Sequence, residues 1–231
     1  MGWELWARGP VERTLDSVWP LLASWEKSTR PAQARLQAYL EEVTRGLSPL
    51  PEAPHLYLHM DIDVEEPERL LRHYDLENYL TPLFGRRWLP PERFALVSAR
   101  KRVGGGSHIE CGPAERRARA VGEWSHFAMN AGSGATERRW KENLARLGES
   151  SPRPVPPGPA AVRLAWRCSS KRNWTMLWKT TGDAMGPVLG VADPRQPFNP
   201  NDDRIVDLEL HRVADDSLGH DVVVEMWWRA A

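Results

Sequence analysis

Two alternating segments constrain the fold of this chain most, because each occupies the same place in a recurring order of elements: "HLYLHMDIDV" at 55–64 and "AVRLAWRC" at 161–168. In the first, Leu56, Leu58, Met60, Ile62 and Val64 alternate with His55, Tyr57, His59, Asp61 and Asp63, the period of a half-buried strand with its polar face in solvent. In the second, Val162, Leu164, Trp166 and Cys168 take the inward positions. A proline-rich break precedes each, "LPEAP" in one case and "SPRPVPPGP" in the other. A helix precedes each break. Residues 31–47 carry Leu36, Tyr39, Leu40, Val43 and Leu47 at helical spacing, and residues 136–147 carry Trp140, Leu144 and Leu147 between Thr136 as N-cap and Gly148 as stop. After each strand come a short helix, a strand, a turn and a final strand. These read "DLENYLTPL", "RFALVSARKRV", "GGG" and "SHIECG" in the first series, and "NWTMLWKTTGDAMGPVLG", "DDRIVDLELHRV", "ADDSLGH" and "DVVVEMWW" in the second. Alternation along the last strand points one of Trp227 and Trp228 inward, not both.

The order predicts an α/β (α+β) chain of two repeated small units, each a mixed sheet with helices, packed as an intramolecular pseudo-dimer. The first unit spans 1–115 with N-terminal helices; the second spans 116–231. Between them a connector, "PAERRARAVGEWSHFAMNAGSGA", is expected to carry one helix. The period is too long for a solenoid. A single α/β domain whose elements recur by chance is the alternative.

Composition narrows the function classes. Thirty-one basic residues balance 31 acidic ones in 231, so no global field draws the chain to nucleic acid or anionic lipid, and only local basic patches remain. Cys111 and Cys168 stand far apart, outside any metal-knuckle or disulfide spacing. No apolar run approaches the length of a membrane span, and the N-terminus lacks a signal-like apolar region. The expectation is a cytoplasmic protein, monomeric, with no membrane partner. Most of the 12 tryptophans are expected in the core.

The stretch "HYDLENYLTPLFG", residues 73–85, sets Asp75 and Glu77 at a helix start. There a carboxylate can cap the helix, or two can converge on a cation. His55, His59, Asp61 and Asp63 share one strand face and can ligate a transition metal, although period-two polarity on a solvated face explains them without one. The "GGGSH" turn has amides of the kind that hold phosphate but lacks a P-loop ending, and reads as a hairpin turn. Lys101 and Arg102 in "SARKRV", with Lys171, Arg172 and Trp174 in "SSKRNW", are the candidate contacts to a nucleic-acid backbone, the tryptophan stacking a base.

The run "LWKTTGDAMGPVLG" followed by "NDDRIVDLELHR", residues 177–212, resembles the RusA-like Holliday-junction resolvases, and "DLENYLTPL" is similar to the same helix motif in the first half. The resemblance implies a metal-dependent nuclease acting on branched or structured DNA with Mg2+ as cofactor, the tandem chain imitating a dimer. Carried over by position, it assigns Asp75, Glu77 and Glu92 to the metal and to catalysis, Lys179 to a phosphate oxygen across the pseudo-twofold, and Asp202 and Asp203 to an alternative metal site. The second half departs from the motif: Asn173 and Thr175 stand where the helix acids belong. The first departs too, with Thr81 in the lysine position. Each half lacks something the other keeps. The alternative is an inactive nucleic-acid-binding or scaffolding pseudoenzyme of the same fold.

Overall fold

The computed structural model describes residues 5–16, 20–21, 30–64, 66–71, 75–85, 87–117, 124–133, 138, 140–144 and 154–231. Within these the chain is mixed α+β. A curled sheet takes the strand order β1, β5, β3, β4, β8, β7, β9, β6, with β2 also paired to β5. The strands are β1 (Leu5–Arg8), β2 (Arg13–Asp16), β3 (Leu56–Asp63), β4 (Phe94–Arg102), β5 (His108–Arg117), β6 (Ser125–Gly132), β7 (Ala160–Cys168), β8 (Ile205–Ala214) and β9 (Val222–Ala230). Helices α1 (Arg30–Gly46), α2 (Leu76–Leu80), α3 (Trp178–Asp183) and α4 (Gly186–Leu189) pack with the main apolar cluster.

Strand pairing follows one plan on either side of the sheet centre. β3 runs parallel to β4 with a register slip between Leu56 and Tyr57, and antiparallel to β5. β7 runs parallel to β8 with a slip between Ala160 and Ala161, and antiparallel to β9. The two triplets join through antiparallel β4 and β8, whose pairing from Leu96↔His211 to Arg100↔Asp207 is centred on Ser98 opposite Glu209. One sheet therefore runs through both halves of the sequence.

The apolar positions of both alternating strands are buried, from Leu56, Leu58, Met60 and Ile62 to Val162, Leu164 and Trp166. The polar face of β3 is buried as well, which corrects the expected solvated face: His59 is 4% and Asp61 8% exposed. The cause is β1. Paired to the end of β5, it folds back over the second face of the sheet, where the Trp6 indole donates to the Arg212 carbonyl (2.8 Å) and its amide to His211 Nδ1 (3.3 Å). Covered on both faces, the sheet also buries both Trp227 and Trp228. Trp228 joins the main core, while Trp227 packs with Leu5 and Ala165 on the other side.

Two further expectations change. β1 and β2 precede α1 where helices were expected, and the described part of the connector is the end of β5 and strand β6, paired to β9, rather than helix. Residues 138 and 140–144 are helical with Trp140 and Leu144 buried; Thr136, Leu147 and Gly148 lie outside the described residues. No helix among the described residues is long and apolar enough to cross a membrane.

An aromatic ladder ties the short helices of the two halves together. Phe94 meets Phe84 edge-on at 5.3 Å, Phe84 meets Trp178 at 5.3 Å, and Trp178 meets Trp174 at 5.0 Å. Each such pair adds about 0.5–1.5 kcal/mol beyond its area burial. The ladder fixes where α2 and α3 stand against each other, and the acid cluster lies on those helices.

Candidate metal centre

α2 forms because Leu76, Tyr79 and Leu80 bury one stripe behind Asp75, whose extended backbone (ψ 122°) starts the helix. The Asp75 side chain does not cap it. Its Oδ2 accepts instead from the Asn78 amide at 3.0 Å. Glu77, in the first turn, is 5% exposed and faces the second half of the chain. There α3 supplies Lys179 and Asp183, four residues apart on one helix face, with Nζ 3.2 Å from Asp183 Oδ1 and 3.7 Å from Glu77 Oε1. The 3₁₀ turn Asp202–Arg204 opens β8 and brings in Asp202. Arg204 anchors that turn through its bonds to the carbonyls of Leu189 (2.7 Å), Gly158 (2.9 Å) and Pro156.

Glu77, Asp183 and Asp202 each offer a carboxylate oxygen, all within 4.8 Å of one another. Oxygen ligands about 2.1 Å from a Mg2+ ion lie at most about 4.2 Å apart, so small side-chain rotations close this set on such an ion. The donors suit a hard cation. Glu77 Oε1 is buried with no hydrogen-bond partner, an orphan acceptor that a cation would satisfy. A group of acidic residues able to hold a metal ion is thus built from both halves of the chain.

Electrostatics agree with that assembly. Burial, then the carboxylates of Asp202, Asp75 and Asp183, push Glu77 up to about 8 against the pull of Lys179. Burial and Asp75 push Asp202 up to about 7, and burial with Asp203 raises Asp75. Lys179 is raised: burial opposes its charge, but Glu77 and Asp183 outweigh it. Lys141 adds a cation at 2.7 Å from Asp183 Oδ2.

The residues picked out in the sequence divide. Asp75, Glu77, Lys179 and Asp202 come together. Glu92 does not join them: it is exposed, on the turn before β4, and its carbonyl accepts from Arg212 (2.9 Å). It fails because the acids of the first half meet the strand opening of the second half, not their own. Asp203 stands beside the cluster and offers its carbonyl to Lys101. Lys101 is buried, held down at about 8 by that burial against Asp203 and Asp75, so it belongs to this charge cluster and not to a surface groove. Arg102 pairs with Asp61 at 3.3 Å. Arg172 donates to the carbonyls of Ser133 (3.4 Å) and His220 (3.1 Å), while Lys171 is exposed. Trp174 is wholly buried with its indole bonded to the Pro91 carbonyl (2.9 Å); it is core and presents no face to a base.

Asp183 and Lys141 were not singled out for the metal. The signal for Asp183 was its spacing of four from Lys179 on a helix; Lys141 had none. The polar residues of β3 form a network of their own, His59 Nδ1 to Ser98 Oγ at 2.9 Å and Asp61 to His59 (3.5 Å) and His108 (3.3 Å). In the glycine turn, Asp63 takes the amides of Gly104 and Gly106 at 2.9 Å each, so those amides are already engaged. Positive φ at Gly104, Gly105 and Gly106 makes the turn possible. No protein-family model matches the chain, and no curated protein matches it.

Proposed function

We propose that this chain is a metal-dependent nuclease for branched or structured DNA, built as a degenerate duplication of a RusA-like unit and using one metal site assembled from both copies. The observation that carries the reading is the meeting of Glu77 with Lys179, Asp183 and Asp202 across the two halves. Each half supplies what the other lacks. Asp75 and Glu77 come from the first, Lys179, Asp183 and Asp202 from the second, and the corresponding positions of the opposite set are Asn173, Thr175, Thr81, Gly85 and Pro91. Pairing supports the duplication: the same slip occurs in β3 with β4 and in β7 with β8. Lys101 donates to the Asp203 carbonyl as Arg212 donates to that of Glu92.

Mg2+ is the cation that fits an all-carboxylate set completed by water and substrate phosphate, and when bound it supplies Lewis-acid activation of a water. The chain's own residues do the rest. Glu77, Asp183 and Asp202 would hold the cation; Lys179, half-exposed at the rim, would pair with a phosphate oxygen; Asp75, its pKa raised, would accept a proton from the attacking water. One phosphorus–oxygen bond forms as another breaks, leaving a phosphomonoester and a hydroxyl. Calorimetric titration of Mn2+ into wild type and Glu77→Gln, beside a nicking assay on four-way and flapped DNA, tests the reading. One site and one activity, both lost in Glu77→Gln, are expected. Equal weak binding in both proteins without nicking returns the chain to the inactive binding or scaffolding alternative.

A further inference from the structure

The acid cluster uses one end of the paired short helices; their other end opens into a cavity of about 480 Å3 lined by Gly85, Trp88, Glu92, Ser170, Lys171 and Asn173, among others. Its chemistry is opposite to that of the cluster. Asn173 starts its helical turn as Asp75 starts α2, yet its amide oxygen is turned onto Thr175, bonding the amide (3.2 Å) and hydroxyl (2.7 Å). Thr175 replaces Glu77. Where Asp183 and Asp202 stand in the other set, Gly85 and Pro91 offer no ligand. Among the described residues the lining keeps one acid, Glu92, against the bases Lys171 and Arg172. Arg172 is spent on two carbonyls; Lys171 is exposed, and its charge acts on the neighbouring Asp216 carboxylate, which also accepts from the hydroxyls of Ser169 and Ser170.

We propose that this cavity seats a second nucleic-acid strand by its phosphate backbone without cutting it, so that the chain nicks one strand of a branched DNA while gripping another. The inference rests on the nuclease reading for the cut and on the cavity alone for the grip. A phosphodiester cannot enter a buried acid cluster without a cation to neutralise it, whereas a cavity with one acid against two bases, Lys171 exposed at its edge, accepts one directly. Trp88, partly buried against the core, lines the cavity and offers a ring for the adjoining base. Binding at this cavity is therefore independent of metal.

The test is fluorescence anisotropy of a labelled four-way DNA junction in EDTA across a salt series, with wild type, Lys171→Glu and Trp88→Ala. Lys171→Glu is expected to weaken binding and lower the salt slope by about 1, the signature of one lost phosphate contact, and Trp88→Ala to weaken binding without changing the slope. Mn2+ stoichiometry should stay at one in both variants. Unchanged affinity and slope in both overturn the cavity even if Mn2+ binds and the junction is nicked. Loss of EDTA-resistant binding in Lys171→Glu, in a protein that binds no Mn2+, keeps the cavity and removes the nuclease. With strands labelled singly, cuts should fall on one of the two opposed strands per bound chain; paired cuts by one chain contradict a non-cutting seat.

Discussion

Replacing Glu77 by glutamine separates a buried, proton-holding acid awaiting a cation from an acid held ionised by Lys179. With its pKa near 8, Glu77 carries a proton in the metal-free fold at pH 7, while in the unfolded chain it titrates near 4.5 and is ionised. Folding at pH 7 must therefore take up a proton, at about 1.4 kcal/mol for each pH unit above 4.5, or roughly 3 kcal/mol. The sign follows: this contribution is fully favourable below pH 4.5 and is lost as pH rises toward 8. Glutamine has the shape of the protonated acid and no proton to take up, so Glu77→Gln should raise metal-free stability at pH 7, at most by that roughly 3 kcal/mol. In a chain of this size each 1 kcal/mol moves Tm by about 2–4 °C, so the upper bound is a gain of roughly 6–12 °C, shrinking toward zero near pH 4.5. Thermal unfolding by circular dichroism in EDTA at pH 5 and pH 7 reads it. Millimolar Mg2+ should then stabilise wild type, by an amount set by its affinity, and leave the variant unmoved. A variant less stable than wild type in EDTA at pH 7 would refute the reasoning: Glu77 would then be ionised and held by Lys179 at 3.7 Å, a structural ion pair needing no metal.

Metal affinity should climb as pH rises through 7 and 8, because Asp202 near 7 and Glu77 near 8 must shed protons to bind; calorimetry in two buffers of different ionisation enthalpy should record proton release. Trp174→Ala should cost about 3–5 kcal/mol in urea unfolding, the cost of emptying a core site, and an unchanged midpoint would restore its surface role. Asp63→Ala should cost about 1–3 kcal/mol, because it frees two glycine amides of the β4–β5 turn, and exchange of the Gly104 and Gly106 amides should quicken.

What was legible in the sequence was whatever rests on period. Leu56 to Ile62 and Val162 to Trp166 announced two strands and their inward faces, and Leu36 to Leu47 announced α1, because one buried face imposes its spacing on the chain. What period cannot carry is which second layer covers a face. Nothing in "LWAR" says that it folds back across the sheet, so the burial of Trp227 against Leu5 was hidden. The candidate site was half legible for the same reason. Asp75 and Glu77 stood out by local spacing at a helix start, but their partners Asp183 and Asp202 lie more than 100 residues away and are brought in by the β4–β8 pairing and the Phe84–Trp178–Trp174 ladder. Glu92 was the reasonable local choice, and it was displaced because Glu77 faces the strand opening of the second half at Asp202. Lys101 read as one of a basic run, and only its place under the Asp202–Arg204 turn, donating to the Asp203 carbonyl, reveals a buried cation.

Anomalous scattering from crystals soaked in millimolar Mn2+ tests the central claim most directly. The account predicts one strong peak within ligand distance of Glu77, Asp183 and Asp202, beside Lys179, and none at Asn173, Thr175 and Glu92. No peak among the three acids at millimolar metal, or one at the opposite end of the helices, would contradict a cation held between the two halves of the chain.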